Sequence, residues 1–493
     1  MTSVTLVNSG SPLTADVIVI GTVSTADGIA LAAGAAAVDE SLHATLLGAL
    51  RAVEASGAVD EVVKIPTLGH GTVGLVVAAG LGKGDPAALE AEAVRRGVGA
   101  ALRAINSARR VAVAIGDGTD PVLVGAISDG ALLGGYRFTR YKSKARPAAL
   151  KRIDIAVSNT GGTEARAALR RSKVVTEAVN NTRDLVNTPA NDLNPVTFAG
   201  YARTQGEAAG LTVEVLDERA LKRGGFGGLL AVGAGSATPP RLVRLSYRPS
   251  RARTSVALVG KGITFDTGGL DLKNSMMAQM KSDMGGAAAV IEAVIAAARL
   301  KLPVAVTATV PMAENAVSGT SFRPSDVLTM RDGRTVEVDN TDAEGRLILA
   351  DAILRACEDK PDFLIETSTL TGGQLVALGT HTTGAMGSEA FRDRVVAAGT
   401  AAGESLWPMP LPAHLRPWLD SPVADLVNLP KERWASMLIA GIFLSEFVAD
   451  GVQWVHLDIA GPSFATGASG YTPKGGTGVI VRTILASLTE LAG

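Results

Sequence analysis

Three short segments set charged side chains where buried elements normally exclude them: GKGITFDTGGLDLK (260–273), MKSDMGG (280–286) and VDNTDAEGR (338–346). In the third, Asp342, Glu344 and Arg346 stand at i, i+2 and i+4, so an extended backbone would present all three on one face. Paired carboxylates repel unless a cation lies between them, and Arg346 compensates one charge only. Alone, these three could form a surface ion-pair network. Asp266 and Asp283 change the balance. Four carboxylates in one half of the chain carry the charge that two divalent cations neutralise, as in hydrolase centres with ions about 3.5–4 Å apart. Oxygen ligands admit Mg, Mn or Zn alike.

Two lysines accompany them. A phosphate loop needs Gly-x4-Gly-Lys-Ser/Thr, whereas Lys261 is followed by Gly and Ile, and no third Gly completes a dinucleotide fingerprint after 260–262. Lys261 could instead be a neutral metal ligand; losing its proton at pH 7 costs about 4.6 kcal/mol, which a metal–nitrogen bond could offset. Lys273 suits a charged role, polarising a carbonyl or holding an oxyanion.

The elements that must position these groups are α/β units. Residues 1–160 alternate β-branched runs (VTLV, DVIVIG, VAVAIGD, IDIAVSN) with Ala-rich helical ones, and form a smaller N-terminal α/β domain. Residues 161–190 hold a long helix that ends at the turn cluster NTPANDLNP. Residues 191–493 form the larger catalytic domain. Its predicted strands are 255–262, 303–310, 362–370 and 454–461, and its helices 285–300, 347–359 and 436–450. Apolar strands joined by helices predict a central, largely parallel sheet covered by helices, with ligands beyond the carboxyl ends of its strands.

Composition narrows the function. The chain has 493 residues, 47 Lys+Arg against 48 Asp+Glu, five His and one Cys. A net charge of -1 gives no basic field for nucleic acid or anionic membrane. One thiol, Cys357, excludes an internal disulfide and a thiolate zinc finger. The histidines (His43, His70, His381, His414, His456) are too scattered for a histidine-rich metal motif. No basic leader opens the sequence and no apolar run reaches membrane-spanning length, which predicts a soluble cytoplasmic protein. Charged residues reach only 19%, as expected if other subunits cover some surface, or if the genome favours Ala.

These segments resemble the M17 leucyl (cytosol) aminopeptidase family. NTDAEGRLILADA matches its signature, GKGITFDTGG and MKSDMGGAAAV match its other metal segments, and RDLVNTPANDLNP and HLDIAGP are further landmarks, over roughly 180–490. The resemblance implies two divalent ions per subunit, Mn or Zn. Asp266, Asp342 (carboxylate and backbone carbonyl) and Glu344 would hold one. Lys261, Asp266, Asp283 and Glu344 would hold the other. Lys273 and Arg346 would be the catalytic pair, the arginine holding a bicarbonate as general base. Met280, Thr369 and Gly372 would line an apolar substrate pocket, and Leu370 would present its carbonyl to the substrate backbone. The implied activity is release of apolar N-terminal residues, Leu foremost, from peptides with a free N-terminus. A bridging water would attack the scissile carbonyl inside a homohexamer. The free α-amine must be neutral to coordinate, which predicts an alkaline optimum.

Three positions depart from the family pattern. The loop between Lys273 and Asp283 is one residue shorter, Asp271 stands where Ser is usual, and Glu366 stands where Asp is usual. Two other functions remain open: a metal phosphoesterase, disfavoured by Lys261 and the apolar pocket, and an aminopeptidase-like scaffold with a binding or regulatory role. Elsewhere, His456 reads as a core histidine with its nitrogens hydrogen-bonded and Cys357 as packing. His381 reads as a pocket neighbour without a catalytic role, and the Gly-rich stretch 224–236 as tight turns.

Overall fold

In the strand Val17–Thr25, successive residues face two different cores. Val17 and Val19 pack with Val77, Val111 and Ile155, while Ile18 and Ile20 pack with Val76 and Ala78. Apolar side chains on both faces of a strand require a sheet covered on two sides. The structure is a computed structural model that describes residues 2–71, 73–116, 118–144 and 150–493. The chain divides into two compact units: Met1–Asn180 with Thr466–Lys474, and Asn181–Ala465 with Gly475–Gly493. The division falls inside the helix Thr163–Asn187.

In the first unit, six strands run in the order Ser3–Asn8, Arg152–Val157, Arg110–Ala114, Val17–Thr25, Leu75–Lys83, Val62–Pro66, with Gly28–Leu31 hairpinned onto Val17–Thr25. All are parallel to their neighbours except Val62–Pro66 and the hairpin. Three of these strands (Gly28–Leu31, Val62–Pro66, Leu75–Lys83) lie outside the four that the β-branched runs predict. The segment Thr466–Lys474, remote in sequence, belongs to this unit: Tyr471 Oη donates to Glu92 Oε1 at 2.9 Å and Arg103 Nε to the Gly470 carbonyl at 2.7 Å.

The second unit is built on a sheet whose central strands, Gln453–Asp458, Phe363–Ser368, Ser255–Gly260 and Ala305–Asn315, run parallel in that order. Thr382–Gly387 continues one side and Arg241–Tyr247 the other, both antiparallel to their central neighbours. The sequence expectation of a single strand over 255–262 is corrected: the chain breaks at Lys261, and Gly262–Asp266 pairs separately with the end of Ala305–Asn315. Helices Gly285–Arg299 and Gly345–Cys357 pack on the central strands. The first is buried from Gly285 to Ala297, which explains its all-round apolar sequence; its one carboxylate, Glu292, is held by Tyr201 Oη at 2.6 Å and Asn181 Nδ2 at 3.0 Å. Its approach is so close that a Cβ on Gly286 would lie 2.1 Å from the Thr367 carbonyl oxygen. The Gly-rich stretch 224–236, expected as turns, contains the helix Gly227–Gly233, because Leu229 and Val232 drop into the core.

Candidate active site

Lys261, Asp266, Asn315, Thr369 and Asp458 all stand at or just past the carboxyl ends of strands of the second unit. From Asp266 the chain turns at Gly268, whose φ of +88° and whose space, with the Asp271 carbonyl 2.4 Å from a hypothetical Cβ, both demand glycine. That turn brings Lys273 back, its N–H bonded to the Thr267 carbonyl at 2.9 Å. Asp271 ties this loop to the next metal segment, accepting Thr341 N–H at 2.7 Å and donating its own N–H to Thr341 Oγ1 at 2.9 Å. Its carboxylate therefore serves the backbone and makes no ion pair with Lys273.

The extended backbone expected through Asp342, Glu344 and Arg346 is not what forms. Thr341 and Asp342 lie in a turn, Glu344 is already helical in φ and ψ, and Gly345 opens a helix. The turn brings Asp342 and Glu344 together with Asp266, so that one carboxylate oxygen from each lies within 4.8 Å of the others. Arg346 points elsewhere, its Nη1 donating to the Asn428 carbonyl at 2.7 Å.

Lys261 Nζ lies 2.9 Å from Asp283 Oδ1, 2.8 Å from Glu344 Oε1 and 3.1 Å from the Thr369 carbonyl. Lys273 Nζ lies 2.7 Å from Asp266 Oδ2 and also pairs with Asp342 Oδ1. Burial opposes charge on Lys261, but Asp283, Glu344 and Asp266 outweigh it and hold the ammonium more tightly than in water. Lys273 is raised likewise, burial being outweighed by Asp266, Glu344 and Asp342. The carboxylates are strained in the other direction. Burial, with Glu344 and Asp266 adding to it against Lys261, pushes Asp283 up to about 8. Burial and the repulsion of Asp266 and Glu344 push Asp342 up to about 7, and Glu344 is raised for the same reasons. Burial lowers Arg346 to about 10, against Glu344 and Asp458.

Among the described residues four carboxylates thus face two ammoniums, all but Asp342 and Lys273 deeply buried, and Asp283 Oδ2 is buried with no hydrogen-bond partner among those residues. An oxygen-rich donor set short of positive charge fits divalent cations.

The pocket residues are placed unevenly. Thr369 Oγ1 donates to Asp283 Oδ1 at 2.7 Å and the Thr369 carbonyl meets Lys261, so this residue belongs to the cluster. Leu370 follows it, and Gly372 opens the helix Gly372–Leu378 at the surface. Met280 is half-buried in the 3-10 turn Met277–Ser282 and accepts the Asp283 N–H at 3.2 Å.

Three buried groups escaped sequence reasoning. Asn315 donates to Asp266 Oδ1 at 2.9 Å and to the Thr341 carbonyl at 3.0 Å, joining two metal segments through one amide. Asn428 accepts from Asp339 N–H at 2.8 Å and donates to the Asn340 carbonyl at 2.7 Å, fixing the turn before Asp342. Asp458 accepts from the Leu370–Thr371 turn. Asn315 and Asp458 end strands in the structure, whereas the predicted strands 303–310 and 454–461 end elsewhere, and Asn428 follows a two-residue strand, so none of the three carried a usable signal. His456 is fully buried as expected, but only Nδ1 is partnered, by Glu366; Nε2 has no partner among the described residues. Cys357 is buried, and burial raises its thiol pKa. His381 is exposed.

Residues 180–485 match the cytosol aminopeptidase family, catalytic domain, and residues 19–145 its N-terminal domain. A Rhodococcus jostii protein described as "probable cytosol aminopeptidase" is 52% identical over 485 residues, 97% of this chain and 95% of the relative. One of the same description from Mycobacterium tuberculosis is 52% identical over 456 residues, 90% and 87% of the two chains. Among solved structures, the bottromycin maturation enzyme BotP in complex with Mn is similar at a TM-score of 0.85 and 37% identity, covering 97% of this chain and 100% of that one. A variant of tomato leucine aminopeptidase gives a TM-score of 0.89 at 31% identity, covering 99% and 97%.

Proposed function

The chain belongs to the cytosol aminopeptidase family and is by that membership a metal-dependent aminopeptidase, and we propose that it releases apolar N-terminal residues, Leu foremost, from peptides at a centre of two divalent cations. The observation that carries the two-cation reading is the charge deficit among Asp266, Asp283, Asp342 and Glu344. Asp266, Asp342 and Glu344 would hold one ion and Lys261, Asp266, Asp283 and Glu344 the other, with Mn or Zn as the candidates. Bound there, divalent cations would supply Lewis acidity, for activating a water and for polarising the scissile carbonyl.

The chain's own residues do the rest. Lys261 pairs with Asp283 and Glu344 as an ammonium, and would have to give up that proton to serve as a neutral metal ligand. Lys273 stays protonated and donates to the oxyanion that develops on the scissile carbonyl. Arg346 Nε is buried with no hydrogen-bond partner among the described residues, an open donor suited to a bicarbonate. Thr369 and Leu370 receive the substrate, Thr369 fixed to the cluster by Asp283 and Lys261. A free α-amine is required as a ligand, which restricts cleavage to the first residue and favours alkaline pH, since its reference pKa is about 7.7–8.0.

The deciding experiment compares Leu-p-nitroanilide with its N-acetylated form, with and without a chelator, restoring metals singly. Cleavage confined to the free amine, lost with chelator and regained with Mn or Zn, is the expected result. Hydrolysis of the blocked substrate, or indifference to the chelator, refutes it.

A further inference from the structure

The turn that would receive the substrate is held by a carboxylate that is no candidate metal ligand. Leu370 and Thr371 connect the strand Phe363–Ser368 to the helix Gly372–Leu378. Asp458 ends the neighbouring strand, in parallel register opposite Ser368, and is fully buried. Its Oδ1 accepts Leu370 N–H and Ala460 N–H, each at 3.2 Å, and its Oδ2 accepts Thr371 Oγ1–H at 2.7 Å. Three donors converge on two acceptor oxygens. An asparagine could satisfy only one side, because its NH2 would meet a donor on the other.

The rest of the turn shows what this arrangement leaves open. Thr369 is tied to the charged cluster through its carbonyl and its hydroxyl. Thr371 Oγ1 accepts Gln374 N–H at 3.0 Å, which fixes its hydroxyl proton toward Asp458 and caps the following helix. Leu370 lies between these two anchors, its N–H spent on Asp458. No backbone or side-chain hydrogen bond among the described residues reaches its carbonyl. A half-buried carbonyl left unused between two fixed neighbours is suited to a ligand's N–H. One step back along the same strand faces, Glu366 and His456 form a second buried contact between the two strands, so side chains as well as the backbone ladder hold this sheet end.

We propose that Asp458 is a positioning residue of the aminopeptidase reaction: its carboxylate fixes the Leu370–Thr371 turn so that the Leu370 carbonyl remains available to the peptide backbone. This inference rests on the function proposed above. It assigns Asp458 no contact with substrate or metal.

The test is a double-mutant cycle on the full chain. Wild type, Asp458→Asn, Thr371→Val and the double variant are assayed with Leu-p-nitroanilide, each also titrated with Mn2+ by calorimetry and melted. Each single variant is expected to lose about 10- to 100-fold in kcat/KM through misplacement of the turn. The loss should fall on KM more than on kcat, because the carbonyl binds substrate in ground and transition states alike. The double variant should lose clearly less than the two single losses combined, since both act through the same turn. Mn2+ affinity should stay within about threefold of wild type, because no proposed ligand is touched. Thr371→Ser keeps the hydroxyl and should recover most of what Thr371→Val loses. Wild-type kcat/KM in Asp458→Asn, additive losses in the double variant, or losses that only track missing Mn2+ or unfolded protein would each overturn the role. A wild-type chain that fails to cleave the free amine at all refutes the proposed function, and this inference falls with it.

Discussion

At the scale of single residues, the site is a charge deficit held in place by hydrogen bonds from backbone and amide groups. Asp266 is oriented by Asn315, Thr341 by Asp271 and Asn315, and Asp342 by Asn340, while four carboxylates share two ammoniums. Removing Glu344, which belongs to both proposed metal sets, should abolish Mn2+ binding and activity in Glu344→Ala while the fold survives, because a mutual repulsion goes with it. Lys273→Met should behave differently. It keeps Mn2+ binding but loses about 10²- to 10³-fold in kcat, the usual effect of deleting one oxyanion donor. Calorimetry beside kinetics separates the two; parallel loss of metal in both variants would contradict the division of roles.

The same residues set a pH dependence. Without metal, burial and mutual repulsion hold Asp283 up to about 8 and Asp342 up to about 7, so both keep protons that a cation must displace. Binding therefore releases protons below those values and releases fewer above them. Mn2+ affinity is expected to rise steeply between pH 6 and 8, with proton release seen as a buffer-dependent heat. A flat affinity over that range would show that the carboxylates are already ionised without metal.

At the scale of elements, the helix Gly345–Cys357 carries the site's floor, and Asp351 anchors it. Its Oδ2 accepts Leu229 N–H and its Oδ1 Arg331 N–H, each at 3.0 Å, in full burial. Asp351→Ala strands both donors and should cost about 2–4 kcal/mol of stability while kcat of the folded fraction is kept. Burial also pushes Asp351 up to about 7 despite those bonds. The folded chain then holds a proton there, from about pH 4 to 7, that the unfolded chain does not. Stability from this group is full below that window and lost as pH rises through it. The deficit of Asp351→Ala should accordingly be larger at pH 5 than at pH 8 in denaturant titrations. Elements of this kind were legible in part. Helices 285–300 and 347–359 were legible to within two residues at each end, because long apolar, Ala-rich runs and a following turn mark them. The break at Lys261 was not, since β-branched residues run on through both strands and only the pairing of Gly262–Asp266 with Ala305–Asn315 separates them.

At the scale of the whole molecule, a near-zero net charge and 19% charged residues leave little polar surface to spare. Among the described residues no helix is long and apolar enough to cross a membrane. If the chain assembles as its family resemblance implies, light scattering should find about 300 kDa, six copies of a 50.3 kDa chain, and a monomer would refute the hexamer.

The amino-acid sequence alone determined which groups could do chemistry. Five His and one Cys exclude a nitrogen- or sulfur-rich centre, while Asp266, Asp283, Asp342, Glu344, Lys261 and Lys273 announce themselves as charge placed beside apolar runs. It also determined the parallel sheet, because strands that are apolar throughout need cover on both faces. What it could not determine is convergence. A turn, not an extended strand, joins Asp342 to Glu344, and the orienting groups Asn315, Asn428 and Asp458 lie 26, 88 and 88 positions from partners they bond. Linear spacing carries no information about which strand ends become neighbours; sheet order does, and it is set by packing across the whole unit.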